Sequence, residues 1–367
     1  KNMKNFNVRV EEQEIDFKGV EVEQVANIDL SSICNETEGS WDPIGLYDLE
    51  TVDGKDKAIE KPFKGTYEGN NYEVTGLYID ETCDEIRMGL FGYVNTGKIN
   101  NLTVKGEITT AADTAIAVGG IAGYVYNGEI NNCENYADIT GYRVGGIVGL
   151  NGNLTETNNC INYGKISGNY IGGISYGNVG TISSCVNNGV INANSNVQDE
   201  SVYGGGITYY NNGLIEETYN NNIVIAIGTS TNNGVVTGGI YSIDNYKSIV
   251  KKCYNTAAIY ADCGHNGSST GAMCAAGGIG GYMRTNTYIE NCYNTGDITA
   301  TKLQGANTNS AGGIVGFIQY KEEGEETTLV FNANATQLVK DCYNAGKKYW
   351  YGNKLWCNGY ILFWLLR

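Results

Sequence analysis

The chain holds one histidine, His265, and eleven cysteines. A single imidazole excludes every scheme that needs two histidines, including the HExxH helix of zinc proteases. His265 stands between Cys263 and Cys274 in the segment 261–276. Two thiols and one imidazole leave tetrahedral zinc a ligand short, so two free thiols are the first reading and a loop disulfide the second. Six other cysteines, Cys133, Cys160, Cys185, Cys253, Cys292 and Cys342, recur in one sequence context. An inward-facing cysteine behaves as a small hydrophobe, so this column predicts a ladder of buried thiols. Five residues after that position stand Asp138, Lys165, Val190, Ile223, Ala258, Asp297 and Lys347, with Glu107 ahead of them. The order predicts two exposed cross-strand pairs, Asp138 with Lys165 and Asp297 with Lys347, each worth well under ~1 kcal/mol. Glu107 and Asp138 form one like-charged pair, and two acids without a third ligand make a poor Ca²⁺ site. No catalytic residue, metal ligand or cofactor is assigned.

Aromatic side chains recur more suggestively. One residue after the cysteine position come Tyr219, Tyr254, Tyr293 and Tyr343. Next to an inward cysteine, this place should point outward. A second set, Tyr124, Tyr210, Tyr282 and Phe317, lies three residues after the isoleucine of a Gly-Gly-Ile unit, with Tyr93 at the matching earlier place and Leu150, Gly177 and Ile243 interrupting. Stacked exposed aromatics can form a platform for sugar rings or a partner protein; the plainer reading is that aromatics pack well on a pleated sheet. These eight residues are the candidate ligand-binding set.

The elements that position them are repeats. Gly-Gly-Ile recurs at Gly119, Gly145, Gly172, Gly205, Gly238, Gly277 and Gly312, at intervals of 26, 27, 33, 33, 39 and 35 residues. In the following blocks the residue two after the cysteine position is always asparagine: Asn135, Asn162, Asn187, Asn220, Asn255, Asn294 and Asn344. Thr218 replaces the cysteine once, and the last block is delayed by an insertion around 321–337. No apolar run has the length or 3.6-residue period of a helix. Return of one residue type to one place is what stacked coils require, since equivalent residues then lie ~4.8 Å apart. The expected fold is all-β: a single-stranded right-handed parallel β-helix of about nine coils with an N-terminal cap. Isoleucines fill its lumen, asparagines at turns accept αL geometry and hydrogen-bond their neighbours above and below, and insertions bulge outward as loops. Propeller blades need ~40 residues and four strands each, more than these uneven repeats supply.

The motifs Gly-Gly-Ile-Val-Gly, Gly-x-Ile and Asn-Cys-x-Asn-x-Gly-x-Ile resemble the GLUG-type repeat of bacterial surface proteins. The upstream stretches Trp41–Gly45, Phe63–Asn70 and Val74–Ile79 are similar to the usual entry into such domains. The likeness covers roughly residues 41–346 and implies a right-handed β-helix on a secreted or wall-attached protein. Related repeats accompany IgA-specific metallopeptidases, whose metal motif is absent from this chain.

Composition agrees with many tight turns: of 367 residues 51 are Gly, 46 are Asn and only 2 are Pro. With net charge −16 and five scattered arginines, no basic patch invites nucleic acid or an anionic membrane. No apolar stretch reaches the ~18 residues of a membrane span. Residues 1–62 lack the repeat and read as a cap or as a linker to a preceding module; residues 63–346 carry the coils; residues 347–367 form an atypical aromatic tail, either a cap or a frame artefact. The functional expectation is a non-catalytic extracellular module of a larger multidomain surface protein. It would act in adhesion and ligand display or as a rigid spacer, with a glycan or a host or neighbouring surface protein as partner. The competing class is a β-helix carbohydrate-active enzyme, a polysaccharide lyase or glycoside hydrolase.

Overall fold

The computed structural model describes residues 16–52, 55–80, 86–110, 117–195, 200–228, 234–244, 247–263, 273–284, 286–301, 308–318 and 338–351. His265, the insertion around 321–337 and the tail beyond 351 lie outside them.

The described chain is a right-handed parallel β-helix with three faces. The first face is one sheet of ten short strands, running from Glu21–Glu23 and Thr66–Glu68 through Lys98–Asn100 to Leu338–Lys340. The second carries the asparagine pairs, such as Glu134–Asn135, and the longer strands beyond them, such as Asp138–Gly145. The third has eight strands, from Phe91–Asn95 and Ala122–Tyr126 to Val315–Ile318. Each strand pairs in parallel with the strand one coil away. The exception is an antiparallel hairpin, Leu46–Val52 with Lys55–Lys61. Upstream of residue 63, Glu21–Glu23 pairs with Thr66–Glu68, and Ile28 and Asp29 pair with Val74 and Thr75, all in parallel.

The repeat places its side chains as stacked columns. Ile121, Ile147, Ile174, Ile207, Ile240 and Ile279 are fully buried in the lumen, and the cysteine column is buried beside them. Register holds where repeat length changes. Gly168 pairs with Ala193 and Tyr170 with Tyr203, although the second partner lies ten residues beyond the first. The extra residues leave the stack between two paired positions, as loops do when their closure costs little.

The asparagine column differs from the turn role expected of it. Asn135, Asn162, Asn187, Asn220, Asn255, Asn294 and Asn344 sit in strands, and each amide from Asn135 to Asn294 donates to the next asparagine's Oδ1 at 2.6–2.9 Å. The αL turn falls three residues earlier, just before the cysteine position. There Asn101, Asn132, Asn159, Ser184, Glu217, Lys252, Asn291 and Asp341 all have φ between 51° and 55°. Asparagine holds only half of that turn column because the ladder, not the turn, selects it. The ladder also explains the second glycine of the Gly-Gly pair. A Cβ on Gly173 would come within 3.0 Å of both the Gly206 carbonyl and the Asn187 side chain.

Candidate functional site

Tyr219, Tyr254, Tyr293 and Tyr343 occupy one column on successive coils. The fixed neighbour at the cysteine position points inward, so these rings point out. Tyr219 and Tyr254 stack at 3.8 Å between centroids, and Tyr254 and Tyr293 at 4.8 Å with planes 10° apart. Exposure rises along the column to 40% at Tyr293 and 63% at Tyr343. A second exposed stack was not foreseen: Tyr136 and Tyr163 lie 4.5 Å apart at 12°, with the Lys105 ammonium 5.3 Å from the Tyr136 ring. Its signal was available as tyrosine at the third residue after cysteine in two adjacent repeats.

The other aromatic column behaves differently. Tyr124, Tyr210, Tyr282 and Phe317 follow one register column on the third face, where Tyr210 lines a cleft and Tyr282 is buried against Val236, Ile243 and Ala275. Tyr124 stacks on Tyr93 at 5.2 Å, and Tyr47 from the hairpin packs edge-on to both. Tyr210 meets Tyr176 and Tyr209 edge to face, and Tyr209 stacks with Tyr176 and Tyr203. Tyr282 lies 5.4 Å from Phe317.

Three arginines enter this cleft. Arg87 lies 5.0 Å from the Tyr47 ring centroid and 5.7 Å from that of Tyr124. Arg143 lies 5.4 Å from Tyr176, and Arg284 lies 5.3 Å from Tyr282. A pocket of about 260 Å³ is lined by Tyr176, Tyr209, Tyr210, Ile243 and Arg284. Arg87 and Arg143 share one column, two residues ahead of a Gly-Gly or Gly-Leu unit, and that shared place was the sequence signal for them.

Burial sets the protonation of the cleft. It pushes the Tyr210 phenol up to about 12, and raises Tyr93, Tyr170 and Tyr209 further. These phenols stay neutral at pH 7 and are poor bases. Burial lowers the Arg87 pKa, offset in part by the Tyr47 and Tyr124 hydroxyls, but a guanidinium remains charged at neutral pH.

The acid column also differs from expectation. Asp138 and Lys165 are neighbours, but Asp138 Oδ1 accepts the backbone N–H of Lys165 at 2.8 Å rather than pairing with its ammonium. Asp297 does the same with Lys347. A short carboxylate reaches the adjacent amide more readily than it reaches the end of a lysine. Glu107 and Asp138 are in register, as expected. Cys263 and Cys274 are both free, and the Cys263 thiol donates to the Met273 carbonyl. Among the described residues, no group of three or more His, Cys, Asp or Glu could hold a metal ion, and no helix is long and apolar enough to cross a membrane.

No family model matches the chain, so its likeness to GLUG-type repeats rests on the motifs alone. A protein of Evansella cellulosilytica provisionally named a Gly-rich membrane protein is 30% identical over 105 residues. That match covers 28% of this chain and 11% of the relative, so the chain spans only a small part of the relative's length. A solved structure of a protein from Bacteroides ovatus, provisionally named an immunoglobulin A1 protease, superposes with a TM-score of 0.47 at 15% identity. The superposition covers 86% of this chain and 81% of that one. The β-helix assignment rests on the strand pairing itself.

Proposed function

We propose that this chain is a non-catalytic, extracellular repeat module of a bacterial surface protein. It displays tyrosine surfaces to a glycan or a neighbouring surface protein on a rod stiff enough to act as a spacer. One observation carries the reading: Tyr219, Tyr254 and Tyr293 hold parallel, outward-facing rings on three successive coils. The coil register aligns these rings, and their exposed faces offer a platform for sugar rings or a partner protein. The enzymatic alternative finds less support. The acids in register, Glu23 with Glu68, Glu107 with Asp138 and Glu129 with Glu156, stand as pairs; the cleft phenols are pushed up, and Asp244, which burial raises toward neutrality, is already held by the Thr287 hydroxyl and the Arg284 amide. A glycan array and a lyase and hydrolase screen on polysaccharides separate the two. The expected result is retention on the array with no product released, and loss of retention in Tyr254→Ala/Tyr293→Ala with an unchanged circular dichroism spectrum. Release of oligosaccharides by the purified chain contradicts the proposal.

A further inference from the structure

We infer that the tyrosine–arginine cleft binds an extended, carboxylate-bearing glycan, with sugar rings lying on tyrosine faces and arginines holding the carboxylates; this rests on the ligand-display reading above and names its ligand class. Four observations converge.

The first is charge placement. The chain carries −16 and only five arginines, yet all three in the described residues enter this one cleft, each over a tyrosine ring. A molecule repelled by polyanions elsewhere gains a local place for them here, and a guanidinium fork matches a carboxylate in two parallel hydrogen bonds.

The second is availability. The Arg143 side chain has no hydrogen-bond or ion-pair partner among the described residues, and its Nε is buried and unsatisfied. Such a group is costly to leave unmade, and an incoming carboxylate would satisfy it. The nearby carboxylates are already engaged. Glu200 accepts from Tyr142 and Asn169, and Asp244 accepts from Thr287 Oγ1 and the Arg284 amide.

The third is spacing. Ala117 pairs with Arg87, and Val118 pairs with both Met88 and Val144. Arg87 and Arg143 therefore stand two coils apart, about 9.6 Å along the axis. That is close to one disaccharide unit of an extended polysaccharide, so a chain with an acid on every second sugar would meet both.

The fourth is shape. The column from Tyr93 to Phe317 spans seven coil steps, about 34 Å, with half-buried aromatic rings at Tyr124, Tyr210 and Phe317, buried ones at Tyr93 and Tyr282, and Leu150, Gly177 and Ile243 between them. The pocket beside Tyr210 and Arg284, about 260 Å³, is smaller than the ~300–1,000 Å³ of an enclosed small-molecule pocket. It suits one residue of a chain running along the groove.

The test uses the full chain and three polymers, polygalacturonate, hyaluronate and polysialate, each beside its carboxyl-reduced form, by calorimetry at two salt concentrations. The expected result is that at least one acidic polymer binds ten-fold or more tightly than its reduced form and weakens as salt rises. Arg143→Gln should lower that affinity at least five-fold, and Arg143→Lys by less. Lys252→Gln, which removes the same charge from an exposed ion pair with Glu217, should leave affinity unchanged. Melting temperatures of all variants confirm folding. Equal binding of acidic and reduced polymers overturns the carboxylate inference while leaving the aromatic platform standing. Binding kept in Arg143→Gln but lost in Tyr254→Ala/Tyr293→Ala overturns the assignment to this cleft. No binding by any of the six polymers overturns the inference outright.

Discussion

Replacing Asn187 by alanine should break the solenoid near its middle. The Asn187 amide donates to the Asn220 side chain at 2.8 Å and to the Gly189 carbonyl at 2.9 Å. Its Oδ1 accepts from Asn162 Nδ2 at 2.9 Å and from the Gly189 N–H at 3.2 Å. The site is fully buried, so water cannot replace what is lost. At a net ~1 kcal/mol per hydrogen bond, four bonds amount to about 4 kcal/mol, and the orphaned Asn220 oxygen adds to that. A surface partner supplies the control: Asn221 donates to Asn188 at 3.2 Å in solvent, and Asn221→Ala should cost under ~1 kcal/mol. Coils touch only their neighbours, so the loss falls on one interface and can uncouple the two halves of the rod. Urea unfolding followed by circular dichroism reads the difference. The expected result is a large fall in midpoint for Asn187→Ala, or a split into two transitions. If the two variants unfold together, the ladder is not what holds adjacent coils.

Further outcomes follow from other columns. Asp244 stands in register one coil beyond a second buried ladder, Asn151 to Asn178 to Asn211, whose last amide donates to Ser248, and burial raises the Asp244 pKa from 3.8 to about 6 against the opposing donors Thr287 and Arg284. A carboxyl that binds its proton more tightly folded than unfolded contributes stability below pH ~4 that is lost as pH rises through 6, up to roughly 3 kcal/mol for two units. Asp244→Asn should therefore raise the urea midpoint at pH 7 and leave it little changed at pH 4; the reverse order contradicts the burial argument. Gly173→Ala should cost several kcal/mol in the same assay, because its Cβ meets backbone and the Asn187 side chain together. Burial raises the thiol pKa of Cys133 and Cys185, so an aromatic disulfide reagent should leave the cysteine column unlabelled in native protein and reach the half-exposed Cys263 ahead of the other described cysteines; prompt labelling of Cys160 or Cys185 would mean the lumen opens.

The columns facing the lumen were legible in the sequence because identical neighbours stack. A wrong residue there disturbs two coils at once, so Ile121 through Ile279 read as one signal. The exposed tyrosines could be placed for the same reason, each next to the inward cysteine position, which Thr218 fills beside Tyr219. Two things were not legible. The hydrogen-bonded stacking of Asn135 and its equivalents was expected, but at a turn, since asparagine is common in αL. Only the register shows the turn at Asn132 and its equivalents, where Glu217 and Lys252 also adopt it. The cleft was half visible: Tyr124 and Tyr210 were singled out, but Arg87, Arg143, Tyr176 and Tyr209 belong to other columns, brought together by the corner between two faces. Spacing along a chain does not encode that corner.

The working part of this protein is held to be its outward tyrosine and arginine surface, and arginine side-chain NMR tests this most directly. The chain has five arginines, so Nε–Hε signals can be assigned by single substitution to lysine. On titration with whichever glycan the array retains, the signals of Arg143 and Arg284 should shift together and saturate at the affinity measured by calorimetry. Saturating binding with both signals unmoved, and with Tyr254 and Tyr293 ring signals unmoved as well, would contradict the assignment of function to these surfaces.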